Sequence, residues 1–186
     1  MSVRAGAAPA VSGPSSELER AESLIAAVPD HPSPGIVFRD LTPLFADAEA
    51  FATVVDAIAA PFAGRFDVVA GLEARGFLLA GAVALRTGTA VVPIRKAGKL
   101  PRETVAESYE LEYGSATIEV HREDVPPGAR VLIVDDVLAT GGTLAAALRI
   151  GERLEWEVVG CGVILELDHL AGRSALGSEV VSLFRA

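Results

Sequence analysis

The sequence predicts an α/β fold, with a mainly parallel central sheet flanked by helices and one protruding antiparallel hairpin. Three observations carry this. From Val68 onward, apolar runs of strand length alternate with amphipathic stretches of helix length, the pattern of right-handed crossovers onto a parallel sheet. The 186 residues are 51% hydrophobic, enough for one core and too few for a second catalytic domain. Residues 106–120 break the alternation: Tyr109, Leu111 and Tyr113 alternate with polar positions, and Gly114 permits a turn.

Taken in order, residues 5–16 lack periodicity and bury too little to offset the entropy of ordering, so residues 1–16 are expected to form a disordered tail ahead of a single domain at 17–186. Ser16 and Glu19 have capping-box spacing, and Leu18, Ala21, Ile25 and Val28 mark one face of a short helix ending before Pro29. Residues 32–43 read as a loop with an apolar insert, Ile36-Val37-Phe38. Asp47 then caps a helix whose inner stripe is Phe51, Val54, Val55 and Ile58. Strands are expected at 68–70, 90–94, 131–134, 158–165 and 180–184, with helices at 76–86, stopped by Gly88, and at 143–154.

The net charge of −9 and a pI near 4.8 argue against a nucleic-acid or anionic-membrane surface, so an anionic ligand must be met by a local cluster of cations. No apolar run approaches the roughly 18 residues of a membrane span, and Met1-Ser2-Val3-Arg4 opens no signal-peptide core, so a cytoplasmic protein is expected. Cys161, the one cysteine, lies among Val158-Val159-Gly160 and Gly162-Val163-Ile164 and reads as a buried strand thiol.

The sharpest chemical signal runs from Val131 to Thr143. Val131-Leu132-Ile133-Val134 make a central strand, Asp135 and Asp136 emerge at its carboxyl end, and Val137-Leu138-Ala139-Thr140-Gly141-Gly142-Thr143 leads into a helix. Gly141 and Gly142 let backbone N–H groups approach an anion, the helix N-terminus adds partial positive charge, and Thr140 and Thr143 add hydroxyl donors. A phosphate in that cradle would repel the two carboxylates, which therefore face another part of the ligand; vicinal sugar hydroxyls suit them. A phosphorylated ribose satisfies both halves. Neither Gly-x-x-x-x-Gly-Lys-Ser/Thr nor Gly-x-Gly-x-x-Gly occurs, which disfavours a P-loop nucleotidase and a dinucleotide-binding dehydrogenase.

Between Ala74 and Arg102 lie six basic residues (Arg75, Arg86, Arg95, Lys96, Lys99 and Arg102) and no acidic one, and both lysines of the chain are among them. Arg75, at a strand-to-helix turn, and Lys99, in a loop, suit a second anionic group such as pyrophosphate, whereas Arg86 and Arg102 fit a solvated face. A diol, two anionic ends and a carboxylate pair together suggest Mg²⁺, held mainly through the substrate diphosphate. His31, His121 and His169 are scattered, and no structural zinc is expected. In the hairpin, Glu110 and Glu112 either solubilise an exposed strand or bring a carboxylate to the acceptor while the hairpin closes over the active site.

With those motifs in view the chain resembles the adenine phosphoribosyltransferases. The likeness runs from about Glu17 onward through Pro34-Gly35-Ile36-Val37-Phe38-Arg39-Asp40, Gly71-Leu72-Glu73-Ala74-Arg75-Gly76-Phe77, Arg95-Lys96-Ala97-Gly98-Lys99-Leu100-Pro101, Tyr109-Glu110-Leu111-Glu112-Tyr113-Gly114 and the 131–143 motif. The last marks phosphoribosyltransferases generally, and the first and fourth narrow it to the adenine branch. The resemblance implies transfer of ribose phosphate from 5-phosphoribosyl 1-diphosphate to adenine, with Mg²⁺ on the diphosphate, in a homodimer of purine salvage. It assigns adenine to Val37, Phe38 and Arg39, with Phe38 stacking and the other two using backbone groups. It assigns the 5-phosphate to Ala139, Thr140, Gly141, Gly142 and Thr143, and the ribose hydroxyls to Asp135 and Asp136. Arg75, Lys96 and Lys99 fall to the diphosphate, and Glu112 is its proton-handling carboxylate. Ala74, where many members carry Ser, and the charged pair Arg102-Glu103 depart from the pattern. Two other readings stay open on the residues alone: transfer to another purine, and a non-catalytic sensor of the ribose diphosphate, although the N-terminal segment has no helix-turn-helix to act on nucleic acid.

Overall fold

A computed structural model describes residues 14–110 and 114–186. The chain divides into two units, one reaching to Thr53 and the other spanning Val54–Ala186.

In the first unit, helix α1 (Pro14–Ser23) leads into an antiparallel ribbon of β1 (Ala26–Pro29) and β2 (Val37–Asp40). Two expectations are corrected here. The helix begins at Pro14, ahead of Ser16, and stops at Ser23, so Val28 lies in a strand. Pro29 pushes Val28, the residue before it, toward extended backbone. Residues 32–43 are not loop throughout, since Val37 pairs with Pro29 and Phe38 with Val28. Helix α2 (Thr42–Ala46), with Pro43 in its first turn, follows Asp40, whose carboxylate accepts the Thr42 N–H at 2.9 Å and its hydroxyl at 2.6 Å. Asp47 caps α3 (Ala48–Ala59) as expected, accepting the Ala50 N–H at 2.9 Å, and the Arg20 guanidinium 2.5 Å away holds its carboxyl low.

The second unit is built on a seven-stranded sheet. Its strands are β3 (Val68–Leu72), β4 (Ala90–Lys96), β5 (Thr104–Glu110), β6 (Ser115–His121), β7 (Arg130–Leu138), β8 (Glu157–Glu166) and β9 (Val180–Arg185), in the order β5-β6-β4-β3-β7-β8-β9. The five strands from β4 to β9 in that order are parallel; β6 is antiparallel to both β4 and β5. The hairpin is thus continuous with the sheet, joined to the end of β4 through Arg95 opposite Glu119 and Lys96 opposite Ile118.

Alternation along β3 sends helices to both faces. Val68, Ala70 and Leu72 join a core with Leu144, Ala147 and Ile150 of α5 (Gly142–Arg153), where each large aliphatic contributes about 1.5–3 kcal/mol by leaving water. Gly71 turns the other way, against α4 (Gly76–Thr87), so close that a Cβ would sit 2.6 Å from that of Ala80. Helix α5 is also laced to β5: Arg149 meets Glu107 at 2.7 Å and the Ser108 carbonyl at 3.3 Å, and Arg153 meets the Ala106 carbonyl at 2.6 Å. From β3 the chain first builds outward through β4 and returns to place β7 on the other side. The carboxyl ends of β3 and β7 therefore form the switch point where ligands of open α/β sheets bind.

Candidate active site

β7 enters this switch point fully buried through Val131, Leu132, Ile133 and Val134, which excludes water from its backbone up to the first carboxylate. Its last partner on β3 is Gly71, opposite Val134, so Asp135 and Asp136 project beyond that pairing. Asp135 is half-buried, and its Oδ1 accepts the Asp136 N–H at 2.8 Å. Burial, and then the negative charge of Asp136, push the Asp135 carboxyl well above the ordinary range. Asp136 is buried, with Oδ2 2.7 Å from Arg75 Nε. Arg75 sits in the turn joining β3 to α4, where the Glu73–Ala74 peptide is cis. A Cβ on Gly76 would lie 3.0 Å from both Asp135 Oδ1 and the Val134 carbonyl, so glycine lets this turn close on β7.

After β7 the chain turns through Ala139, Thr140 and Gly141 into α5. Gly141 holds the left-handed conformation (φ 81°), and its carbonyl accepts the Ala145 N–H at 2.8 Å. The loop lines a small concavity with Asp135, and the unpaired N–H groups of the first turn of α5 belong to the same segment. Behind the loop stands Gly172: a side chain there would run into the Ala139 carbonyl, and one on Gly141 would run into the Gly172 carbonyl. In front, the Thr143 hydroxyl donates to Tyr109 Oη at 3.0 Å, and the Tyr109 ring lies against Gly142, where a Cβ would be 3.0 Å from Cδ2.

The cationic segment is held by its backbone, leaving the ammonium groups of Lys96 and Lys99 exposed. Glu73 accepts the Lys96 N–H at 3.0 Å and Arg95 Nε at 3.4 Å, and the Lys96 N–H first, then Arg95, lowers its carboxyl. Glu119 accepts the N–H groups of Lys99 at 2.9 Å and Leu100 at 3.0 Å, with Thr104 Oγ1 at 3.3 Å. Burial alone would raise the Glu119 carboxyl, but these donors outweigh it and hold it low. Arg86 and Arg102 are engaged elsewhere, paired with Asp56 at 2.7 Å and Asp124 at 2.8 Å.

In the first unit, Val37, Phe38 and Arg39 lie on β2. Val37 and Arg39, two apart in an extended strand, turn their backbone groups to the same edge, and the Phe38 ring meets His31 edge-on with centroids 5.2 Å apart. Glu112 lies outside the described residues, as do Leu111 and Tyr113.

Sequence reasoning missed Glu73, Glu119, Tyr109 and Gly172 as parts of this arrangement. Glu73 and Tyr109 stood within the quoted motifs at 71–77 and 109–114 without a role of their own, and Glu119 left a trace as a carboxylate between Ile118 and Val120.

A carboxylate pair and glycine loop at the switch point of a parallel sheet define a sugar-phosphate transferase of the α/β class. A family model described as "Phosphoribosyl transferase domain" matches residues 45–184. An adenine phosphoribosyltransferase of Arthrobacter sp. (strain FB24) is 61% identical over 88% of this chain and 89% of that protein. Among solved structures, the adenine phosphoribosyltransferase of Rhodothermus marinus superposes with a TM-score of 0.87 at 44% identity, covering 92% of this chain and 99% of that one. The Saccharomyces cerevisiae enzyme, complexed with D-2,5-dideoxy-2,5-imino-altritol 1,6-bisphosphate and adenine, matches at 0.87 and 40% over 91% and 99% of the two chains. The chain belongs to the adenine phosphoribosyltransferase family.

Proposed function

We propose that this enzyme transfers the 5-phosphoribosyl group of 5-phosphoribosyl 1-diphosphate to adenine, forming AMP and pyrophosphate in purine salvage. The end of β7 carries the reading: Asp135 and Asp136 lie in its last four residues, ahead of a glycine loop that opens α5, one chemistry for hydroxyls near another for phosphate. In this assignment Ala139, Thr140, Gly141, Gly142 and Thr143 take the 5-phosphate, Asp135 and Asp136 the ribose hydroxyls, and Arg75, Lys96 and Lys99 the diphosphate. The exposed lysines on a pinned backbone support the last role.

Adenine goes to β2. It offers an N6 donor beside an N1 acceptor, which a C=O and N–H of Val37 and Arg39 can read; hypoxanthine, with O6 beside N1–H, presents the reverse and is rejected by unmade bonds. Phe38 stacks on the base. As the bond from the purine nitrogen to the anomeric carbon forms, the carbon–oxygen bond to pyrophosphate breaks, and Glu112 takes the proton the purine ring gives up. The sugar passes through an oxocarbenium-like state, so catalysis rests on positioning and on stabilising the departing anion.

Among the described residues no three His, Cys, Asp or Glu side chains group into a metal cage, while half-buried Asp135 offers one carboxylate beside the loop. That donor set fits Mg²⁺ held chiefly by the substrate diphosphate, where it would neutralise charge on the leaving group. A homodimer is supported by α4, which exposes Leu78 and Leu85 two turns apart (55% and 87%), with Val91 of β4 at 53%. The proposed compartment is the cytoplasm, consistent with the free buried thiol of Cys161.

The test supplies 5-phosphoribosyl 1-diphosphate and Mg²⁺ with adenine, hypoxanthine, guanine or xanthine separately and follows nucleotide and pyrophosphate by chromatography. AMP alone is expected. Turnover of another purine would keep the chemistry and overturn the Val37–Arg39 assignment, and no product with any base would favour a sensor.

A further inference from the structure

We propose that Tyr109 is a ligand of the 5-phosphate, an additional member of that subsite lying outside residues 139–143; the inference rests on the phosphoribosyl-transfer reading above. Its basis is an inventory of protons. The Thr143 hydroxyl carries one, and donates it to Tyr109 Oη at 3.0 Å. A phenol that accepts this bond keeps its own proton for another acceptor, and among the described residues no acceptor takes it. The ring lies against Gly142, at the first turn of α5, where the helix N–H groups have no intrahelical partner. The half-buried phenol therefore lies beside other donors with a proton to give, and a phosphate, rich in acceptors, suits that position. If Thr143 turns its proton to the phosphate, it accepts from Tyr109 instead, so either orientation leaves one proton of the pair for the ligand.

Placement of the ring is over-determined. The four bonds from Arg149 and Arg153 to Ser108, Glu107 and Ala106 hold the preceding stretch of β5 onto α5, so Tyr109 reaches Gly142 as part of a fixed strand. Any side chain at Gly142 would displace it. The arrangement also bears on which way round the substrate binds. A sugar with a monophosphate at one end and a diphosphate at the other must be oriented, and here neutral hydroxyls and helix N–H groups serve one end while Arg75, Lys96 and Lys99 serve the more highly charged one. A tyrosine adds a bond to the 5-phosphate without adding charge that would attract the wrong end.

Tyr109→Phe keeps the ring and removes only the hydroxyl. Calorimetry with ribose 5-phosphate and, separately, with pyrophosphate and Mg²⁺ tests it, alongside steady-state kinetics and the melting temperature. The dissociation constant for ribose 5-phosphate and the KM for the sugar diphosphate are expected to rise about tenfold, with pyrophosphate affinity, adenine KM and kcat within about twofold of wild type. Thr143→Val should produce a similar loss, and the double variant less than the product of the two, because the hydroxyls act as one pair. Ribose 5-phosphate bound equally by Tyr109→Phe and wild type would overturn the proposal, as would equal loss of both ligands with a lowered melting temperature, which marks a packing role. If wild-type protein binds neither ligand and makes no AMP, the functional reading falls and this inference with it.

Discussion

β7 and β8 run side by side and both carry carboxylates out at their ends, with Leu138 paired to Glu166 in register. At the end of β7, Asp135 faces a second carboxylate, and Arg75 pairs through Nε with Asp136. At the end of β8, Glu166 is more deeply buried yet fully compensated: Arg173 donates from Nε at 3.0 Å and also from Nη2, Ser182 Oγ donates at 2.6 Å, and Arg185 lies at 3.5 Å. Arg173 first, then Ser182 and Arg185, hold Glu166 at about 2. Burial thus costs stability at one strand end and is repaid by partners at the other. The under-compensated pair is where a ligand has something to supply, and the compensated residue is where the fold closes on itself.

The comparison breaks most sharply at β7. Asp135→Asn combined with Asp136→Asn should lower kcat/KM for the sugar diphosphate about 1,000-fold, roughly 4 kcal/mol of transition-state binding, while the protein still unfolds cooperatively in urea. Retained activity would remove the pair from the site. The converse variant, Arg173→Met, leaves buried Glu166 with the Ser182 hydroxyl and the more distant Arg185, and about 2–3 kcal/mol of unfolding free energy should be lost. That figure lies at or below the lower end for a broken buried pair because the Arg173 side chain is 37% exposed.

A pH series separates the two ends by sign. Glu166 has its folded value depressed from 4.5 to about 2, so the stability it contributes is complete above 4.5 and is lost as pH falls toward 2. Urea midpoints of Glu166→Gln should therefore lack that acid slope. Asp135 has its folded value raised, so its ionisation opposes folding, and the penalty sets in as pH rises above its unfolded value of 3.8. The smallest expected effect follows: Asp135→Asn alone should be somewhat more stable than wild type at pH 7 and lose that advantage in acid. A destabilised Asp135→Asn at neutral pH would contradict the account of the β7 end.

What could be read from sequence was what is contiguous. Residues 131–143 showed a buried strand, two acids and a glycine loop in one stretch because each part takes its conformation from neighbours a few residues away. β2 was missed because its four residues are strand only by pairing with β1, whose own extended backbone depends on Pro29. The partners of the site were hidden by distance along the chain: Tyr109 reaches Thr143 across 34 residues, and Glu119 reaches Lys99 across 20. Both meetings depend on strand order, with β6 inserted between β5 and β4, which no local pattern encodes.

β5 is also one of the two edge strands of the sheet, and an edge strand offers a row of backbone acceptors to any chain that drifts past. The carbonyls of Ala106 and Ser108, two residues apart, are taken by Arg153 and Arg149, and the carboxylate of Glu107 stands between them. The arginines that fasten the strand to the helix behind it therefore also blunt it as a template for β-aggregation, and colloidal stability at this margin comes from side chains whose first duty is mechanical.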